Sequence, residues 1–320
     1  LVLALGAVSI YLLPYLRWTY YDTLVEAVNL SNAQFAAIMS IFGVTAMIFY
    51  APGGYLADKL SLKKMLSFAF LSTGLLGLWY ATFPGIVAQM LIFGLWGGIG
   101  TAFFWSAMMK VTRTLGSSEE QGRMFGLLEG SRGPVNVIIA FVALYFYGKM
   151  GESVGGMQGI IVAFSILCII SAVLAWIVIP NRVEGASDSI HLKDVGTVLK
   201  IPAVWIIALI VMTCYSVYIG STYLTPYMTE MLGLSATLAG AIAILRTYAL
   251  QCVAAPTGGA IADKIGSVTL VIGICFVIIV AALAGFVLLP ASPSIVMIAL
   301  VLMLLTIFVL HRTLKGKAAA

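Results

Sequence analysis

Three arginines, Arg17, Arg132 and Arg246, stand inside long apolar runs of this sequence. A cation in such surroundings costs at least about 2.5 kcal/mol unless it has a partner or faces a water-filled cavity. The guanidinium fork suits one task well: it grips a carboxylate or phosphate in bidentate fashion. Arg17 precedes the polar turn at Asn29, and Arg246 precedes Gly258, each by about twelve residues. At 1.5 Å per helical residue, each is ~18 Å from its turn, near mid-membrane. Two such groups at one depth would clamp a small anion. Each can equally pair with an internal acid such as Asp22, Glu26 or Glu129 and serve only the fold.

Glu129 and Arg132 are three positions apart, on one helical face. They can pair with each other. Alternatively Arg132 contacts substrate, and Glu129 or Asp22 takes up a proton in a coupling step. Tyr21, four residues beyond Arg17, shares its face on a continuous helix. Tyr215, Tyr218 and Thr222 follow helical spacing, and Trp105 adds an indole. Such hydroxyl and indole groups can bond a sugar or an acid; the same residue types also serve packing and interface belts. Cys168, Cys214, Cys252 and Cys275 lie in apolar runs without a CxxC pair, and His191 and His311 stand in polar segments. No metal site is therefore expected. No phosphate-binding glycine loop and no nucleophile–base–acid set appear, so neither a cofactor nor enzyme activity is expected.

The elements that must position these residues are apolar helices. Of 320 residues, 62% are hydrophobic and 9% charged, with mean hydropathy +1.10. Soluble domains run near 25% charged, so lipid and other helices are the solvent for most of this chain. Ten stretches reach the roughly 20 apolar residues a spanning helix needs: 2–27, 33–56, 65–83, 85–109, 123–148, 156–179, 201–227, 236–258, 268–289 and 293–310. They are continuous rather than alternating, which selects helices over a barrel.

Of the 17 lysines and arginines, thirteen fall after even-numbered spans or in the tail, and only Lys149 falls after an odd one. This bias puts the even-span loops and both ends of the chain in the cytoplasm. It also explains the net charge of +5 without a nucleic-acid partner. The turn Asn29-Leu30-Ser31 reads as a helix-capping turn before the second span.

One loop motif is written twice, 205 positions apart: Gly53-Gly54-Tyr55-Leu56-Ala57-Asp58-Lys59 and Gly258-Gly259-Ala260-Ile261-Ala262-Asp263-Lys264. Each copy closes an even-numbered span. Residues 1–180 and 201–320 are thereby expected to be two halves of one plan, joined by a polar linker at 181–200. The glycines allow close helix approach. Asp58 and Asp263 can pair with Lys59, Lys63, Lys64 or Lys264, or face a helix N-terminus. Such bonds would latch the cytoplasmic side and break as the halves rock.

The motif, with Gly54, Asp58, Lys59, Lys63 and Lys64 in the first copy and Gly259, Asp263, Lys264 and Gly266 in the second, resembles the signature of the major facilitator superfamily. The resemblance implies an all-α membrane bundle in two pseudo-symmetric halves, working as a monomer on a small-molecule substrate with a coupling ion or exchanged anion. It implies a place in a bacterial inner membrane. The family has twelve spans, so a chain with ten reads as C-terminally shortened. Trp96-Gly97-Gly98-Ile99-Gly100 and Thr222-Tyr223-Leu224-Thr225-Pro226-Tyr227 look like the sugar-phosphate and organophosphate permease branch. That branch uses an arginine pair, one member on the first span, a role that falls to Arg17. The seventh span has no arginine, so Arg246 on the eighth would take the second place. Gly130-Ser131-Arg132-Gly133-Pro134 is similar to the antiporter signature of the fifth span. The implied function is secondary transport of a small organic anion by alternating access. The alternatives are proton-coupled export of a neutral or cationic compound, and a transporter-like membrane sensor.

The charge bias has a direct check. Alkaline phosphatase fused after Thr82 should be active, and fused after Ser61 inactive; the opposite pattern would invert the assigned orientation.

Overall fold

The computed structural model describes residues 2–115, 121–181, 200–231, 233–245 and 247, and scattered positions from 270 to 284. The chain divides into two compact units, Leu1–His191 and Leu192–Ala320. Among the described residues there are helices and connections but no strand.

The first unit contains α1 (Val2–Leu12), α2 (Tyr21–Val28), α3 (Asn32–Lys59), α4 (Leu62–Tyr80), α5 (Ile86–Ile99), α6 (Ser106–Thr114), α7 (Gln121–Lys149) and α8 (Val154–Val178). They make six spans: α1 with α2, α3, α4, α5 with α6, α7, and α8. Asn32–Lys59, Ile86–Thr114 and Val154–Val178 are long and apolar enough to cross a membrane by length and composition. The expected capping turn is present. Asn29 is left-handed (φ 51°), and the Ser31 hydroxyl accepts from the Gln34 N–H in a capping box that starts α3.

The first span departs from the single helix expected over 2–27. It is two helices joined by a 3-10 turn at Leu16–Trp18. Pro14 lacks an N–H, and its ring would press on the carbonyl of Ile10, so α1 ends before it. Proline alone does not decide the matter, because Pro52 and Pro134 sit inside unbroken α3 and α7. After Pro14 the ring of Tyr15 stacks on that of Trp18 with centroids 4.2 Å apart, which holds the turn. The fourth span is continuous but widens to a π-helical stretch over Gly100–Trp105.

Helix approach is set by small residues. Spans two and four meet at Gly53, where a Cβ would stand 2.8 Å from the Ala102 Cα, and at Gly97, where it would overlap the Phe42 carbonyl. Spans three and six meet at Gly74, where a Cβ would stand 2.7 Å from the Ser165 carbonyl oxygen. α1 packs on α7 and α8. There the Ser9 hydroxyl bonds Ser171 at 3.1 Å, and the Cys168 thiol donates to the Ser9 carbonyl at 3.1 Å. Ala4, Ala7, Met65, Phe70, Phe104 and Met108 form the core between these helices.

In the second unit, α9 (Pro202–Gly220), a 3-10 turn at Ser221–Tyr223 and α10 (Leu224–Glu230) make the seventh span, and α11 (Ala236–Ile244) starts the eighth. The two units share local features. Leu16 and Ser221, which open the two 3-10 turns, stand 205 positions apart, the offset of the loop motif. Left-handed Asn29 and Ser31, the cap of α3, recur as left-handed Gly233 and Ser235, the cap of α11. The expected ninth and tenth spans fall almost wholly outside the described residues.

Gly97→Ala places a methyl against a backbone carbonyl that cannot retreat, whereas Gly43→Ala meets nothing within 4 Å. Thermal unfolding in detergent should show Gly97→Ala destabilised by about 1–3 kcal/mol and Gly43→Ala at least as stable as the parent.

Candidate functional site

Arg17 lies on the turn that breaks the first span, 6% exposed. Its placement is a consequence of the break. A continuous helix would bond all of its own backbone groups, whereas a turn between two helix ends leaves some of them available to something else. Around the turn stand aromatic rings. Tyr15 stacks on Trp18 and on Tyr11 (5.6 Å) and meets the edge of Phe42 from the second span at 5.7 Å. Tyr11 meets the edge of Phe104, in the π stretch of the fourth span, at 5.6 Å. Tyr11 and Tyr15 are only partly buried. This arrangement offers a fixed positive charge, phenol hydroxyls and flat apolar walls, which suits a small molecule with one anionic end. Sequence reasoning missed Tyr11, Tyr15 and Trp18. Their signal was available as the i, i+4, i+7 spacing that ends beside Arg17.

Tyr21 is placed differently from expectation. The break at Leu16–Trp18 removes the helical spacing that would have set it beside Arg17. Its hydroxyl donates to Asn32 Oδ1 at 3.1 Å and its ring meets Phe35, so it ties α2 to the start of α3. Asp22 is half-buried in the first turn of α2, where the helix dipole favours a carboxylate. Trp105 ends the π stretch and packs against the core. Arg132 is half-buried on α7; Glu129 stands one turn earlier, with its side chain outside the described set. Tyr215 and Tyr218 lie on α9, and their side chains also fall outside it. So do Arg246, Gly259, Asp263 and Lys264 entirely. The repeat puts Thr222 in the place Arg17 holds in the first half. Thr222 is buried and its hydroxyl donates to the Ile219 carbonyl at 2.7 Å.

The first loop motif is built around one ion pair. Lys110 Nζ, from α6 at the end of the fourth span, donates to Asp58 Oδ1 at 2.7 Å and to the Ala57 carbonyl at 3.1 Å. Gly53 makes it possible by letting α3 lie against Ala102; Gly54 beside it is half-buried. The neighbouring lysines, expected as partners of Asp58, go elsewhere. Lys59 lies over Tyr55 at 5.9 Å, Lys63 over Trp176 at 5.1 Å, and Lys64 is exposed. They differ from Lys110 because successive helical positions turn by 100°, and because Lys63 and Lys64 already belong to α4. The bond joins two spans of the first half.

A profile of the Major Facilitator Superfamily matches residues 3–312. The chain belongs to the major facilitator superfamily. Within that superfamily it is 32% identical over 297 residues to the Escherichia coli inner membrane protein YihN, covering 90% of this chain and 70% of YihN. It is 30% identical to the E. coli inner membrane protein YqcE, covering 92% of this chain and 71% of YqcE. Its fold is similar to the crystal structure of a bacterial homologue of the human lysosomal transporter Spinster, inward-facing. The TM-score is 0.72 at 16% identity, over 98% of this chain and 74% of that one. Membership of the superfamily makes this chain a multi-pass membrane transporter and not an enzyme, and the two E. coli relatives are inner membrane proteins.

Asp58→Asn and Lys110→Ala should each destabilise the detergent-solubilised protein, and the double variant should be little worse than either. The coupling expected from thermal or denaturant unfolding is about 1 kcal/mol. Strict additivity would mean that the contact stabilises nothing.

Proposed function

We propose that this transporter moves a small organic anion, such as a sugar phosphate, an organophosphate or a carboxylate, by alternating access. Arg17 is its anchor in the first half. The observation that carries the reading is a buried guanidinium at the break of the first span, beside partly open aromatic rings. Discontinuous helices line binding sites in several transporter folds, because the interrupted backbone supplies polar groups at membrane depth. Arg246 supplies the second positive charge from the eighth span, and Thr222 supplies a neutral hydroxyl where the repeat would otherwise place a second Arg17. Asp22 or Glu129 carries the proton if the anion moves with one; otherwise a second anion is exchanged. The basic end of the spans, carrying Lys59, Lys63, Lys64 and Lys110, faces the cytoplasm. There the Asp58–Lys110 pair, tying spans two and four, lets the first half rock as one body, and Asp263 with Lys264 plays the matching part in the second.

The test uses proteoliposomes holding the full chain, with counterflow of glucose 6-phosphate, glycerol 3-phosphate and lactate measured in parallel. Arg17→Ala should lower counterflow of the transported anion by roughly 30-fold or more, the cost of removing one partner of a buried charge pair. Arg17→Lys should keep part of it, since the charge stays but the bidentate fork is lost. Full counterflow of that anion in Arg17→Ala would overturn the anchoring role of Arg17. No counterflow of any of the three anions in the parent, with proton-driven flux of a neutral or cationic compound lost in Glu129→Gln, would favour the alternative cargo.

A further inference from the structure

The start of α4 holds charge of the wrong sign for its position. Lys63 and Lys64 lie in its first turn, which has no acidic residue, and the helix dipole there is positive. Ser61 precedes the helix but does not cap it; its hydroxyl donates instead to the Asn181 carbonyl at 3.3 Å, just beyond α8. Asp58, the acid closest in sequence, is held by Lys110. No described carboxylate lies within 4 Å of Lys63 or Lys64.

The surroundings say what kind of anion fits. Lys63 lies over the ring of Trp176, which is 52% exposed near the end of α8. A half-exposed tryptophan beside lysines at the end of apolar spans sits at the headgroup level of a bilayer. Below it, α4 and α8 pack closely at Gly74, and each presents an exposed apolar stripe at helical spacing. The stripes are Phe68, Leu71 and Leu75 on α4, and Ile170, Val173 and Ile177 on α8. Lys64 continues the α4 stripe one turn further. A soluble polyanion would use the lysines and leave the stripes; a zwitterionic lipid would use the stripes and leave the charge unanswered. A molecule with one anionic head and two acyl chains uses both.

We propose that the groove between α4 and α8 binds an anionic phospholipid in the leaflet at the basic end. Lys63 and Lys64 hold its phosphate, Trp176 lies at its glycerol backbone, and its chains run along the two stripes. This site is independent of the substrate site at Arg17.

The full chain is placed in nanodiscs of phosphatidylcholine that contain a minority of either brominated phosphatidylglycerol or brominated phosphatidylcholine. The Trp176 signal is taken as the difference between the parent and Trp176→Phe. Quenching should favour brominated phosphatidylglycerol roughly tenfold. Lys63→Ala with Lys64→Ala should abolish that preference, and the arginine replacements at both positions should keep it, at unchanged thermal stability. Equal quenching by the two lipids would overturn the proposal, as would a preference that survives the double alanine variant. Displacement by millimolar inorganic phosphate alone would also overturn it, because it would mean a site for free anions.

Discussion

A guanidinium and an interrupted backbone inside an apolar bundle set the terms for the rest of this fold. Hydrocarbon supplies no hydrogen bonds, so polar groups at membrane depth must be satisfied by protein or by a cavity that protein encloses. The break at Leu16–Trp18 brings Arg17 and a backbone without α-helical bonding into that setting. α1 can run to Leu12 and α2 can restart at Tyr21 only because neighbouring spans cover the gap. Phe42 from the second span and Phe104 from the fourth reach the rings of Tyr15 and Tyr11.

That cover depends on how close the spans can come. Gly53 and Gly97 bring spans two and four to backbone contact, and Gly74 does the same for spans three and six. The π-helical stretch from Gly100 to Trp105 adds a residue to one turn, rotating α6 about the helix axis relative to α5. Beyond it, Lys110 reaches Asp58. A loop motif that reads as a latch is thus, in the first half, a bond that makes two spans one body. A transporter that rocks its halves needs such internal stiffness as much as it needs contacts that open.

Much of this was legible in the residues. The turn Asn29-Leu30-Ser31 announced the start of α3, and the doubled Gly-Gly…Ala-Asp-Lys motif has the same 205-residue offset as the 3-10 turns that open at Leu16 and Ser221. Helix starts were legible because caps and apolar runs are local. The break in the first span was harder to see, since Pro14 looks no different from Pro52 or Pro134, which leave their helices unbroken; the decision rests on stacked rings three residues apart. The partner of Asp58 was not legible. Three lysines stand within six positions of it, but helical geometry carries them away, and the bond goes to Lys110, 52 positions on.

The central claim is that the broken first span, with Arg17 at its turn, receives the anionic end of the cargo. Hydrogen exchange over residues 13–20, read by mass spectrometry in nanodiscs, reports on that turn alone. Saturating organic anion should slow exchange there, while a neutral sugar of the same size should leave it unchanged. Protection by the neutral sugar and none by any anion would contradict the account.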